Sequence, residues 1–186
     1  MESFLVSTGV VALAEMGDKT QLLALLLAVR YRRTLPVVAG ILAATLANHA
    51  LAAWLGVEVA RALGRDTLRW LLGVSFLAMA AWTLIPDKMD GDAAPRGRYG
   101  AFVTTLVAFF LVEIGDKTQI ATVALAARYG SLAVVVAGTT LGMMIADVPA
   151  VVFGERLLRK VPVGIVRRIA AAIFAALGAL ALLTAA

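Results

Sequence analysis

The sequence contains no cysteine and only one histidine, His49. Without cysteine the chain cannot form disulfides, iron–sulfur clusters or thiolate zinc sites, and it cannot use thiol catalysis. A single histidine cannot supply the histidine pairs of common metalloprotease motifs. Charged residues are also scarce, at 16% of the 186 residues against roughly 25% in soluble domains. No set of serine, histidine and aspartate indicates a hydrolase either, so the sequence does not predict an enzyme.

Apolar residues are abundant and make up 62% of the chain, whereas ordinary soluble domains contain roughly 45–50%. A chain of this size exposes too much surface for so few polar side chains to cover it in water. The composition therefore predicts an all-α integral membrane protein in contact with the lipid bilayer. The net charge of +5 fits the Lys and Arg that collect in cytoplasmic loops. No nucleic-acid-binding motif accompanies this charge, so nucleic acid is not an expected partner.

Six apolar stretches are long enough to span a membrane, which takes about 20 mostly apolar residues in a helix. They are separated by short loops and comprise Phe4–Ala28, Leu35–Leu55, Leu68–Ile85, Ala101–Ala126, Leu132–Phe153 and Ile165–Thr184. The longest connection, residues 87–99, is rich in Asp, Arg, Gly and Pro. This composition predicts a solvated cytoplasmic linker between two halves, residues 1–86 and residues 100–186.

The distribution of positive charge predicts the orientation in the membrane. The loops after the first, third and fifth stretches, with the residues that flank them, hold eleven Lys and Arg residues, and the opposite side holds four. Cytoplasmic loops carry the excess of positive charge in membrane proteins. Both termini are therefore expected to lie outside the cytoplasm.

The chain repeats itself at a constant offset of 98 residues. The segment Glu15–Gln21 (EMGDKTQ) matches Glu113–Gln119 (EIGDKTQ), and the same offset pairs Arg69 with Arg167. Apolar composition alone would not place two copies of a charged heptapeptide in one register. Because each half has three predicted helices, the second half would cross the membrane in the opposite sense. The sequence thus predicts two inverted three-helix repeats, a plan found in many secondary transporters.

The repeated motif places charge at membrane depth. Glu15 would lie ~17 Å along the first predicted helix, near the middle of a ~30 Å hydrocarbon core. A charge there costs roughly 2.5–3.5 kcal/mol on insertion scales, so such groups must face one another, water or an ion. Seven ionisable residues share this depth, and they are Glu15, Asp18, Lys19, Glu113, Asp116, Lys117 and Asp147.

Two local conformations are compatible with the motif. On a straight helix, the i,i+4 spacing of Glu15 and Lys19 favours an ion pair within the helix. Gly17 and Gly115 instead permit local unwinding, which would turn backbone carbonyls toward a cavity. We predict such a break in both copies of the motif. A further small-residue pattern, Gly138 and Gly142, predicts close packing between helices.

The charge balance of the motif residues favours a cation. Four acids and two lysines give −2, and Asp147 makes it −3, so one divalent cation would neutralise most of this charge. Protons could replace the cation when it leaves. Carboxylate, hydroxyl, amide and carbonyl oxygens suit Mg²⁺, Ca²⁺ and Mn²⁺ rather than Cu⁺ or Zn²⁺. Three further polar residues are either auxiliary ligands and proton carriers or buried packing residues, and they are Asn48, His49 and Asp147. Lys19 and Lys117 would pair with the carboxylates when no cation is bound.

The paired E-x-G-D-K-T motifs resemble those of a cation/proton exchanger family of the lysine-exporter superfamily. The family includes bacterial manganese exporters and the eukaryotic Golgi and chloroplast manganese/calcium transporters. The resemblance implies export of Mn²⁺ or Ca²⁺ in exchange for protons, with no resident cofactor. It implies a divalent-cation site formed by four acids with nearby hydroxyl and amide groups. These acids are Glu15, Asp18, Glu113 and Asp116, and the nearby groups belong to Thr20, Gln21, Thr118 and Gln119.

The resemblance also bears on location and leaves alternatives open. The chain has neither a long N-terminal leader nor a long acidic central loop, so it is expected to be the compact bacterial form in the plasma (inner) membrane. A passive divalent-cation channel and a Ca²⁺/proton antiporter with Mn²⁺ as a secondary substrate remain alternatives. A structural subunit would tolerate the loss of both glutamates, whereas a transporter would not. A homodimer is a further expectation that the sequence leaves open.

Overall fold

The computed structural model describes residues 1–85, 100–154 and 162–183. All regular structure in these ranges is helical, which confirms the all-α prediction. The predicted linker, residues 87–99, lies outside the described residues, as do six of the eleven cations that set the predicted orientation. The described helices are α1 (Glu2–Glu15), α2 (Lys19–Tyr31), α3 (Thr34–Ala62), α4 (Arg65–Thr83), α5 (Ala101–Glu113), α6 (Lys117–Tyr129), α7 (Leu132–Phe153) and α8 (Val163–Leu183).

Three of these helices are long and apolar enough to cross a membrane by themselves, namely α3, α7 and α8. Helix α4 has 19 residues but begins with the charged pair Arg65 and Asp66. Helices α1, α2, α5 and α6 have 13 or 14 residues each, which is short of the ~20 that a span requires. Six complete spans therefore remain a prediction.

The first and fourth predicted stretches each comprise two helices rather than one continuous helix. Helix α1 ends at Glu15 and α2 begins at Lys19, while α5 ends at Glu113 and α6 begins at Lys117. Gly17 has a φ of 79° and Gly115 a φ of 76°, a backbone conformation that glycine adopts at little cost. The predicted breaks are thus confirmed in both copies of the motif, and each break places charged residues at helix ends.

Replacing either glycine with alanine should lower the free energy of unfolding, since a side chain at positive φ costs about 1–2 kcal/mol. The two losses should differ. A Cβ at Gly17 would collide with the side chain of Val163, whereas a Cβ at Gly115 would meet no atom within 4 Å. We therefore expect the larger loss for Gly17→Ala. Denaturant unfolding of the purified variants in detergent would measure both, and equal losses would contradict the packing difference.

Small residues let helices from opposite halves approach closely. A Cβ at Gly138 would lie 2.8 Å from the Phe4 carbonyl oxygen, so α7 contacts the backbone of α1. A Cβ at Gly40 would lie 2.8 Å from the Phe102 carbonyl oxygen, which brings α3 equally close to α5. Gly142 is packed against α1 in the same way, so the predicted close contact at Gly138 and Gly142 is confirmed.

The long helices α3 and α7 pack against each other and against the broken helices of the opposite half. Helix α3 contacts α5 and α6, and α7 contacts α1 and α2. Helices α4 and α8 form a second pair, in which the buried Phe76 and Phe174 rings stack with centroids 6.4 Å apart. Because each broken helix packs on a long helix from the other half, both breaks come together inside the bundle.

Candidate cation-binding site

Three buried carboxylates converge where the two breaks meet. Glu15 is the last residue of α1, Glu113 is the last residue of α5, and Asp116 precedes α6. One carboxylate oxygen from each lies within 4.8 Å of the other two. None of the three is more than 1% exposed. Oxygen atoms at this spacing can coordinate one divalent cation together.

The motif lysines pair with aspartates of the opposite half. Lys19 Nζ lies 2.9 Å from Asp116 Oδ1, and Lys117 Nζ lies 2.8 Å from Asp18 Oδ1. The predicted Glu15–Lys19 pair within one helix is not formed. The break at Gly17 makes Lys19 the first residue of a new helix, so the i,i+4 geometry of a continuous helix is lost. The lysines therefore tie the two breaks to each other.

Several carboxylate oxygens at this centre are buried without a hydrogen-bond partner. They include both oxygens of Glu15 and Oε1 of Glu113. Both oxygens of Asp147 are also unpartnered, and this residue interacts electrostatically with Glu15 and Glu113. An ionised carboxylate in such surroundings costs several kcal/mol or more unless it is paired. These groups therefore have the chemistry of a site that holds a cation or protons.

A sequence model of one protein family, described as divalent cation/proton antiporter GDT1, matches residues 3–91 and 101–186. This match covers most of the chain. The protein belongs to the GDT1 family. It is therefore a transporter rather than an enzyme, as the sequence predicted.

Several GDT1-family relatives align over most of the chain. A protein of Vibrio cholerae named "Putative manganese exporter" is 56% identical over 175 residues, covering 94% of this chain and 87% of the relative. A GDT1-like protein of Synechocystis is 31% identical, covering 78% of this chain and 79% of the relative. GDT1-like protein 5 of Arabidopsis thaliana is 28% identical, covering 99% of this chain and 96% of the relative. No solved structure matches the chain significantly.

The hydroxyl and amide groups of the GDT1 motifs fall into two sets. Thr118 Oγ1 lies 3.4 Å from Asp116 Oδ2 and 3.5 Å from Glu113 Oε2, beside the carboxylates. Thr20 Oγ1 is buried and has no hydrogen-bond partner. The glutamines instead cap the breaks. Gln21 Oε1 accepts a 2.9 Å hydrogen bond from Gly17 N–H, and Gln119 Oε1 accepts a 2.7 Å hydrogen bond from Gly115 N–H.

This capping function was not part of the sequence-based prediction. The signal was present, because each glutamine follows its glycine by four residues and could reach the freed N–H group. Gln21 also donates a 2.9 Å hydrogen bond to the Ala146 carbonyl and so joins α2 to α7. The glutamines stabilise the break geometry, and direct contact between their oxygens and a cation stays a prediction.

The three auxiliary residues predicted from the sequence are all buried, and they make different contacts. His49 Nε2 is 3.7 Å from Glu113 Oε2, and neither ring nitrogen has a hydrogen-bond partner. Asp147 is fully buried and interacts with the same glutamate. Asn48 differs, because its Nδ2 donates a 3.0 Å hydrogen bond to the Phe110 carbonyl of α5. His49 therefore lies beside a carboxylate of the centre, and Asp147 is a buried acid that is affected by the charge of the same glutamate.

One contact with the first break was not predicted from the sequence. Arg167 lies in α8, near the start of the sixth predicted stretch. Its Nη2 donates a 3.0 Å hydrogen bond to the carbonyl oxygen of Gly17. The repeat offset that pairs it with Arg69 was the available signal. Arg167 therefore contacts the backbone of the first break.

Proposed function

We propose that this protein exports Mn²⁺ from the bacterial cytoplasm in exchange for protons, with Ca²⁺ as a second substrate. The observation that carries the proposal is the convergence of Glu15, Glu113 and Asp116, with several buried oxygens that have no partner. The name of the Vibrio relative supports manganese as the metal. Oxygen ligands suit Mn²⁺ and Ca²⁺ alike, so the two metals must be compared directly.

The architecture that we propose for this function has six membrane crossings. Helices α1 and α2 would together form one broken crossing, and α5 and α6 another, while α3, α4, α7 and α8 supply the rest. Residues 1–86 and 100–186 would be inverted repeats, with both termini outside the cytoplasm and the protein in the plasma membrane. The equivalent glycine geometry at the two breaks supports this arrangement.

The proposed cycle uses the same carboxylates for both substrates. A cation from the cytoplasm would bind Glu15, Glu113 and Asp116, with Asp18, Thr20 and Thr118 close by. A change in the packing of the halves would expose it to the other side, where protons would displace it. The protonated carboxylates would carry the protons inward. Lys19 and Lys117 compensate the charge of the aspartates, because each ammonium group pairs with an aspartate of the opposite half.

Proteoliposomes with an acidic interior provide the test. We expect Mn²⁺ to accumulate inside against its own gradient, because outward proton flow drives metal uptake, and a protonophore should abolish the accumulation. Ca²⁺ measured in parallel ranks the two metals. Flux that only equilibrates the metal would favour a passive channel. No flux of either metal would overturn the transport proposal and favour a structural subunit.

A further inference from the structure

The first break is covered by α8. Arg167 Nη2 donates a 3.0 Å hydrogen bond to the Gly17 carbonyl, and the Val163 side chain occupies the position of a Cβ on Gly17. This carbonyl follows the C-terminus of α1, where unsatisfied carbonyl groups carry partial negative charge. A guanidinium donor stabilises such a group more strongly than a neutral donor does. A hydrogen bond from Arg167 thus joins α8 to the backbone of the first break.

The second break has the same backbone conformation, but none of the described residues covers its glycine in this way. A Cβ at Gly115 would meet no atom within 4 Å, and the residue is exposed. Helix α8 contacts α1, whereas its repeat counterpart α4 makes no comparably extensive contact with α5 in the described part of the chain. The two halves of the molecule therefore differ in whether their third helix closes over the break.

Arg69 is the repeat counterpart of Arg167, and its guanidinium lies over the Trp70 ring at 5.9 Å from the centroid. Its Nε is buried without a hydrogen-bond partner. Its side chain lines a cavity of about 560 Å³ between α4, α6 and α8. Leu72 and Ala127 line the same cavity. The offset of 98 residues pairs Leu72 with Ala170, which is buried beside Arg167 in α8. The cavity near Arg69 thus lies beside Leu72, which is 7% exposed, whereas its repeat counterpart Ala170 near Arg167 is 2% exposed.

We propose that Arg167 and Arg69 are alternating latches that position the two breaks during transport. In this conformation, Arg167 holds the Gly17 carbonyl and closes one route to the carboxylates. In the opposite conformation, Arg69 holds the Gly115 carbonyl, Arg167 is released, and the closed route opens. Each conformation then has one guanidinium–carbonyl hydrogen bond, which keeps the two close in free energy. The proposal rests on the transport function proposed above.

Cysteine labelling tests the latches without any transported metal. Because the chain has no cysteine, two single cysteines can serve as reporters. Ala127→Cys, at a position 6% exposed, reports on the cavity near Arg69, and Ala170→Cys, at a position 2% exposed, reports on the region near Arg167. A charged, water-soluble thiol reagent is applied to membranes, and labelling is normalised to folded protein recovered in detergent. Loss of one hydrogen bond to a charged group changes the ratio of two conformations by about tenfold or more.

The two arginines should act in opposite directions. Arg167→Met should raise labelling of Ala170→Cys by about tenfold and lower labelling of Ala127→Cys. Arg69→Met should not raise labelling of Ala170→Cys. Arg167→Lys keeps a cationic donor and should restore most of the original pattern. Arg168→Met is the matched control, because it removes the same charge from an exposed neighbouring position and should leave labelling unchanged.

Two outcomes would overturn the latches. One is unchanged labelling in Arg167→Met, and the other is a rise at both reporters in both arginine variants, which would indicate general loosening of the bundle. These results are separable from the transport assay. Opposite shifts in labelling without proton-driven metal flux would leave the latches standing and reject the proposed function. Normal flux in the parent protein with unshifted labelling in Arg167→Met would reject the latches alone.

Discussion

Replacement of Glu113 with glutamine is expected to lower proton-driven Mn²⁺ transport by about 100-fold or more, since even residues that only support metal ligands commonly contribute 10–100-fold. Glutamine keeps the size of the side chain but removes its negative charge and its capacity to carry a proton. Glu113 is fully buried, and its carboxylate is within 4.8 Å of both Glu15 and Asp116. Glu15→Gln should have an equally large effect, because both glutamates end a broken helix at the same centre.

Glu58→Gln is the matched control for these variants. Glu58 is a partly exposed glutamate on α3 whose side chain is 43% exposed, and its carboxylate pairs with Arg61 at 2.6 Å. The chemical change is identical, but transport should stay at the parent rate. Flux in proteoliposomes is compared at equal amounts of correctly inserted protein. A normal rate in either Glu15→Gln or Glu113→Gln would show that the cation does not use a shared carboxylate site.

Replacement of Lys117 with methionine is expected to destabilise the protein by about 3–5 kcal/mol, the cost of leaving one partner of a buried ion pair uncompensated. The Lys117 side chain is 3% exposed and Asp18 is fully buried, so water cannot take over the role of the ammonium group. Lys19→Met removes the equivalent pair, but this lysine side chain is 31% exposed. Its loss should therefore be smaller.

The double variant Lys117→Met/Asp18→Asn separates pairing from packing. Removing both charges leaves no uncompensated carboxylate, so the double variant should be more stable than Lys117→Met alone. Unfolding by denaturant in detergent measures Lys117→Met, the single variant Asp18→Asn and the double variant. A double variant as unstable as the sum of its single changes would show that the two residues do not depend on each other.

The sequence was most informative where a local rule decides the structure. Two charged motifs with a central glycine were enough to predict both breaks, because glycine tolerates the backbone conformation and a straight helix would have carried polar groups around much of its circumference. The apolar stretches likewise located the helices. The number of complete membrane crossings stays a prediction, because four helices are too short to cross a membrane alone. These are α1, α2, α5 and α6.

The arrangement of the site depended on tertiary contacts that spacing could not supply. The i,i+4 rule favoured a Glu15–Lys19 pair, but the break moved Lys19 onto a new helix next to Asp116 of the other half. The amide oxygens of Gln21 and Gln119 accept hydrogen bonds from the glycine N–H groups of the two breaks, a contact that was not predicted from the sequence. The contact between Arg167 and Gly17 spans 150 residues, so only the folded chain could reveal it.

The crossed ion pairs also bear on how such a chain can arise. Lys19 pairs with Asp116 and Lys117 pairs with Asp18. Each half therefore contributes one lysine and one aspartate to ion pairs with the other half. This is the reciprocity of an isologous interface, in which one surface is complementary to a second copy of itself. Two identical three-helix proteins carrying one motif each would satisfy both pairs. Gene duplication and fusion could therefore join such a dimer into one chain without creating new contacts at its centre.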